Sequence, residues 1–268
     1  MNSYQDMNAT VIDRWVAEGW EWGKPVDHQT YLQAKNGQWS VLLTPTKPVP
    51  SEWFGSLKGK KILGLASGGG QQMPVFTAAG AECTVLDYSE KQLESERTVA
   101  EREGYRINIV RADMSKPLPF ADASFDIIFH PVSNCYIEKV EPVFAECLFS
   151  AAEIARLKIN CILKKGGVLL CGLDIGINYI VDQKEEKIIN ALPFNPLLNE
   201  AHRKQFEESD AGWQFSHSLI EQIGGQLRAG FTVTEIYVES NIQCETSSTV
   251  PRCSALGLLI TQQFSGCY

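Results

Sequence analysis

From Lys60 onward the chain alternates short apolar runs with longer amphipathic stretches, a pattern that predicts strands separated by helices and a parallel sheet. The first strand, 61–65, leads into a glycine-rich turn. A helix follows, with Pro74 in its opening turn and Gly80 just past its end. A second strand over 83–86 ends at Asp87, and Ser89 to Gln92 reads as a capping box opening a helix that runs to Gly104. Further strands are predicted over 107–110, 125–129 and 168–173. Runs this apolar, without alternation, suit a sheet covered on both faces.

Near the C-terminus the alternation breaks. Ser218 to Glu221 caps a helix that stops at Gly230, and two strands, 232–239 and 255–261, follow with no helix between them. Strands joined without a crossover run antiparallel. The fold class is therefore α/β, with a mostly parallel sheet closed by an antiparallel hairpin. Two segments lie outside this frame. Residues 1–58 hold an amphipathic stretch, with Val11, Ile12, Trp15, Val16 and Trp20 at helical spacing, and then a proline-rich connector over 44–50. Residues 175–215 are too many for a tight loop. Both are expected to cap the edge of the sheet where open α/β sheets bind ligands.

Composition narrows the partners. With 268 residues, 44% of them hydrophobic, the chain can bury one sizeable core. A net charge of −8 without any Lys/Arg-rich run argues against nucleic acid as a partner. No apolar run reaches the roughly 18 residues of a membrane span, and Met1 to Asp6 lack the features of a secretory signal. The eight cysteines are scattered without a C-x-x-C pair, and Cys83 and Cys171 lie in strand-like runs as small hydrophobes. Neither a disulfide framework nor a metal site is expected, and the expected location is the reducing cytoplasm.

The strongest chemical signal is the turn Ala66-Ser67-Gly68-Gly69-Gly70. Glycines let backbone pass close to a ligand, and the following helix is expected to offer free N–H groups. Asp87, ending the second strand, stands where a carboxylate can accept both ribose hydroxyls of an adenosyl group. It could instead cap the next helix, although Ser89 fills that role. After the third strand, Asp113 can accept from an adenine amino group and Met114 offers the ring an apolar face; a solvated turn is the alternative for Asp113. A nicotinamide dehydrogenase would want a further glycine at position 73, which is Met.

Together these residues resemble the class I S-adenosylmethionine-dependent methyltransferases, over residues 58–261. Residues 63–70 look like the family's first motif, Asp87 its ribose acid and Asp113 its adenine acid. Residues 125–136 look like its fourth-strand motif, and 164–167 like the turn before its fifth strand. Strings such as Leu65 to Gln72, His130 to Cys135 and Phe215 to Ser218 are similar to a bacterial small-molecule-type subgroup. The resemblance implies a Rossmann-like, mostly parallel seven-stranded sheet with a C-terminal antiparallel hairpin and a helical cap. It implies a cap segment over 1–58 and a methyltransferase domain over 59–268, with a cap insertion at about 175–215. The cofactor would be S-adenosylmethionine, leaving S-adenosylhomocysteine. The partner would be a small-molecule acceptor, with no nucleic acid, membrane or metal, and the protein a monomer or homodimer.

By the same resemblance, cofactor contacts fall to Ala66, Ser67, Gly68, Gly69, Gly70, Gln72, Asp87, Tyr88, Gln92, Asp113, Met114 and His130. Position in the chain, not the resemblance, makes Trp20, Trp39, Asn134, Tyr179 and His217 the expected acceptor contacts and His130 and His217 the candidate bases. Each has a plainer reading. His130 can be satisfied by backbone, His217 can be a solvated helix start, and tryptophans at helical spacing are commonly core. Gly224 and Gly225 would each weaken their helix by about 1 kcal/mol unless close packing against cofactor or sheet offsets it; a helix break is the alternative.

The chain departs from the family at two places. Gly64 stands where an acid is common and Ala66 where the first glycine is, so the cofactor's amino group is expected to meet the N-terminal cap. The segment 141–163 is longer than the usual helix, with an insertion expected within 148–160. A methyltransferase acting on RNA or protein, and a non-catalytic binder of the cofactor, remain as alternatives.

Overall fold

The computed structural model describes residues 3–147, 161–176, 179–182, 186–208, 212–241 and 252–262. Seven strands form one sheet: β1 (Lys61–Leu65), β2 (Glu82–Asp87), β3 (Asn108–Arg111), β4 (Phe125–His130), β5 (Leu163–Asp174), β6 (Phe231–Asn241) and β7 (Arg252–Gln262). Their order is β3-β2-β1-β4-β5-β7-β6. The first five run parallel, and β7 lies antiparallel between β5 and β6.

Seven helices flank or cap the described sheet: α1 (Tyr4–Ala17), α2 (His28–Lys35), α3 (Gln72–Ala78), α4 (Glu90–Glu103), α5 (Glu141–Cys147), α6 (Glu200–Glu208) and α7 (Leu219–Ala229). Their ends follow side-chain chemistry. Ser3 with Asp6 opens α1, and Ser218 with Glu221 opens α7, each as a reciprocal capping box. At α4 only half of the expected box forms. The Ser89 hydroxyl accepts from the Gln92 N–H, but its own proton goes to Asp13 on α1, and the Gln92 side chain does not return the bond. Gly104 and Gly230 end α4 and α7 in the left-handed conformation that glycine adopts without steric cost.

Successive strand residues point to opposite faces, so the apolar runs feed two cores. Leu63, Leu65, Ile128, Leu169 and Cys171 join the layer under α5 and α7. Ile62, Ile127, Phe129 and Leu170 meet Phe54 and Phe76 on the other side. The fifth strand begins earlier than the apolar pattern suggests. Lys164 to Gly167, expected as a turn before it, form an irregularity inside β5 where pairing jumps from Phe125↔Leu163 to Ile127↔Val168. The insertion expected within 148–160 lies outside the described residues.

The two glycines of α7 separate into different roles. A Cβ at Gly225 would sit 3.2 Å from Glu141 Cγ and 3.4 Å from Phe144 Cδ2, so this position lets α7 lie close on α5. The close packing is against a helix, not against cofactor or sheet, and the helix does not break. At Gly224 an added methyl meets the half-exposed guanidinium of Arg228 at 3.0 Å and Ile220 Cγ2 at an ordinary 3.8 Å. Gly224→Ala is therefore expected to stabilise the protein by about 0.5–1 kcal/mol through helix propensity. Gly225→Ala should gain nothing or lose stability. Denaturation midpoints of the two variants check this, and equal gains would contradict the packing role of Gly225.

Candidate functional site

The chain leaves β1 in an abrupt turn. Ala66 takes φ +48, a left-handed conformation costing an alanine roughly 1–2 kcal/mol, at the position where the resembled family has a glycine. The next residues are laced to the neighbouring strand and helix. The N–H groups of Gly68, Gly69 and Gly70 donate to Asp87 Oδ2 (3.0 Å), the Gln92 carbonyl (2.9 Å) and Glu96 Oε1 (2.9 Å). These three donors fix the loop. A Cβ at Gly69 would lie 2.4 Å from the Trp22 carbonyl, and one at Gly68 2.6 Å from Gln92 Cβ, so the loop admits only glycine there.

In front of this turn lies a cavity of about 260 Å³. Its floor is made by Ala66, Ser67, Gly68, Gln72, Asp87, Tyr88, Gln92, Asp113 and Met114. Its roof is α1, presenting Gln5, Asn8, Ala9 and Ile12, with Trp20, Trp22 and the connector Leu42 to Pro45; the loop after β4 closes the side.

The roof is tied down by specific bonds. Tyr88 Oη donates to Asp6 Oδ1 (2.7 Å), and Asp13 Oδ1 accepts from Ser89 Oγ (2.6 Å) and the Lys91 N–H (3.0 Å), placing a carboxylate at the start of α4. The Asn8 amide exchanges two bonds with the Trp213 backbone. The Val132 N–H donates to the Leu43 carbonyl, which passes so close to β5 that a Cβ at Gly172 would fall 2.1 Å from it.

The floor has the chemistry of a hydroxyl- and amine-binding surface. Asp87 accepts from the Gly68 and Ser89 N–H groups, and burial still raises its carboxyl above the ordinary value. Further donors from a ligand would relieve that desolvation. Gln92 Oε1 is buried without a partner beside Gly69. Asp113 Oδ1 accepts from the Ser115 N–H, and buried Met114 lies next to it. An adenosyl group fits this set: two acids for its hydroxyls and amine, and an apolar side chain for its ring.

Several residues expected at the site stand elsewhere. Gly69 and Gly70 shape the loop from behind and do not line the cavity. His130 is buried, with Nδ1 donating to the Leu65 carbonyl at 2.9 Å, and burial lowers its pKa. His217 donates through Nε2 to the Asn134 carbonyl (3.0 Å). Asn134 is consumed by Gln222 and the Asp174 N–H. His130 thus takes its backbone-satisfied reading, whereas His217 is buried and not the solvated helix start of its plainer reading; neither is on the cavity wall. Trp39 packs edge-on against Phe54 and Phe76 in the core. Tyr179 stacks on Phe194 and bonds Gln214, beside a separate hollow lined by His202 and Phe206.

Other residues escaped the sequence reading. Gln5, Asn8 and Ala9 share a helical face with Ile12, a spacing overshadowed by the more hydrophobic stripe of Val11, Ile12, Trp15, Val16 and Trp20 in which Ile12 was already counted. Glu96 was legible only as an acid on the inward side of α4, in line with Gln92 and Val99. Among the described residues no group of three or more His, Cys, Asp or Glu is placed to hold a metal, and no helix is long and apolar enough to cross a membrane.

A glycine turn and acid at the carboxyl ends of parallel strands, in a sheet of this order, define a nucleotide-type ligand site at a switch point. Comparison with known proteins narrows the class. Residues 63–171 match the methyltransferase domain family. An uncharacterised methyltransferase of Bacillus subtilis (strain 168), YbaJ, is 41% identical over 244 residues, spanning 88% of this chain and 91% of that protein. An S-adenosylmethionine-dependent methyltransferase from Mesorhizobium loti shares the fold at a TM-score of 0.56 and 17% identity, over 79% of this chain and 94% of that one. A Listeria monocytogenes protein described in the same terms does so at 0.57 and 14%, over 80% and 95%. The chain belongs to the class I S-adenosylmethionine-dependent methyltransferases, and it is an enzyme that uses S-adenosylmethionine.

The buried Glu96 makes the loop sensitive to pH. Desolvation raises its carboxyl from the ordinary 4.5 to about 8, against the stabilising Gly70 bond, and Oε2 has no partner. A raised acid binds more protons folded than unfolded, so its contribution falls as pH climbs from about 4.5 to about 8 and is level above that. Glu96→Gln, which keeps an acceptor for Gly70, is expected to flatten that decline. Urea midpoints at pH 6 and 8.5 for both proteins check it; parallel profiles would contradict the assignment.

Proposed function

We propose that the protein transfers the methyl group of S-adenosylmethionine to a small-molecule acceptor held between the glycine turn and the N-terminal segment. The observation that carries this reading is the roof: α1 and the connector, parts of the same chain, close over the cavity and are bonded to its rim. A cavity covered in this way suits a small acceptor better than a helix or loop of a macromolecule. The net charge of −8 points the same way with respect to RNA.

In this reading residues 1–58 serve as the cap and the remainder as the catalytic domain. When bound, S-adenosylmethionine supplies a methyl group activated by its sulfonium. The protein's residues hold and exclude. Asp87 accepts the ribose hydroxyls, Asp113 the adenine amino group, and Met114 lies against the ring. Ala66, Ser67, Gly68 and Gln72 border the chain between ribose and methionine. The amino-group contact for which Gly64 offers no acid falls to the N-terminal cap in this reading. The roof keeps water from the transfer path, and its orientation of the acceptor is the main source of rate.

Calorimetric titration with S-adenosylmethionine and S-adenosylhomocysteine tests the cofactor assignment directly. Asp87→Ala is expected to weaken both by about 100-fold, or about 2.8 kcal/mol, while unfolding stays cooperative. Unchanged affinity would remove Asp87 from the site.

A further inference from the structure

We propose that the acceptor is an uncharged, largely apolar molecule that attacks through a nitrogen or sulfur lone pair it already carries at neutral pH. This rests on the reading of the cavity as a methyl-transfer site. Among the described residues no Lys, Arg or His lines the cavity. Its titratable groups are Asp87, Tyr88, Asp113, Cys135 and Tyr136. The two acids lie on the floor assigned to the adenosyl group. Burial pushes up the Cys135 thiol and the Tyr136 phenol, so both stay protonated, and the Tyr88 phenol donates to Asp6. The two histidines that could have served as bases are turned away onto backbone carbonyls.

Several polar side chains on the acceptor half of the wall are already engaged. Asn8 is bonded to Trp213, Thr44 Oγ1 to Tyr237 Oη (3.1 Å), and Ser133 Oγ to the Pro131 carbonyl (3.0 Å). What remains for an acceptor is mainly the apolar surface of Ala9, Ile12, Leu42 and Leu43 and the rings of Trp20 and Tyr136.

These facts select against whole classes of acceptor. A carboxylate or phosphate would lose its water and find no cationic side chain, with only the cofactor's sulfonium opposite it, a cost of several kcal/mol when S-adenosylhomocysteine is bound. An alcohol or phenol would need its proton removed at or before attack, and the acceptor half offers no group to take it. A neutral amine or thioether needs neither. Its lone pair forms the new bond to the methyl carbon as the carbon–sulfur bond breaks with its electron pair left on sulfur. A methylated amine then sheds its proton to solvent, and a methylated thioether has none to shed.

The test uses the full chain and matched sets of four molecules on phenyl, naphthyl and indolyl skeletons: an N-alkyl arylamine, an aryl thioether, a phenol and an aryl carboxylate. Binding is read by calorimetry with S-adenosylhomocysteine present, and transfer by mass spectrometry with S-adenosylmethionine saturating. The expected result is at least 10-fold tighter binding of the arylamine or thioether than of the carboxylate. Methylation should be confined to nitrogen or sulfur, at a rate level from pH 6 to 9. Phenol or carboxylate methylated as fast, equal binding across a set, or no binding of any neutral member would overturn the acceptor class while leaving the site assignment intact. Failure of the protein to bind either S-adenosylmethionine or S-adenosylhomocysteine would instead overturn the methyl-transfer reading itself.

Discussion

Three consecutive backbone N–H groups hold the whole site in place. Gly68, Gly69 and Gly70 donate to Asp87, the Gln92 carbonyl and Glu96, so the turn after β1 is sewn to the end of β2 and to one face of α4. Each bond is worth only about 1 kcal/mol, but all three would be left unpaired by a shift of one residue. That makes the loop a single geometry and fixes Asp87 opposite the cavity. The lacing also accounts for a glutamate held in the core at position 96. It is the acceptor that the third N–H requires, tolerated there because a protonated carboxyl is less costly to bury than a charged one.

The roof is built on a different principle from the floor. The floor is sheet and turn, rigid through main-chain pairing. The roof is a helix and a connector held by side chains: Asp6 on Tyr88, Asp13 on Ser89 and Lys91, Asn8 on Trp213, and Thr46 on Glu239. Three of these groups, Asn8, Tyr88 and Ser89, line the cavity, so anchoring the roof takes up hydrogen-bonding capacity in the space beneath it.

Much of this was legible in the sequence because it is carried by local patterns. The strands β1, β2 and β4, the glycine turn, the caps at Ser89 and Ser218 and the terminal hairpin all announce themselves within a few residues. The start of β5 at Leu163 was not legible, since Lys164 to Gly167 look like a turn and are held in the strand only by pairing. Nor was the fate of His130 and His217. A histidine beside a ligand site and one bonded to a carbonyl carry the same letter, and only the neighbours at Leu65 and Asn134 distinguish them. The tryptophans divide likewise: Trp20 and Trp22 reach the cavity, while Trp39 fills core between Phe54 and Phe76.

The close passage of Leu43 over Gly172 ties the earliest part of the chain to one made much later. Asn8 waits for Trp213, Thr46 for Glu239, and Leu43 for Val132. A ribosome releases the N-terminal segment first, when none of these partners exists. Trp39 can pack on Phe54 and Phe76, and α1 on α4, once those are made, but the bonds to Trp213 and Glu239 must wait until nearly the entire sheet has been synthesised. Contacts of such long sequence separation are slow to close and leave hydrophobic surface open meanwhile. Completion of the roof thus waits on segments that are made late in synthesis.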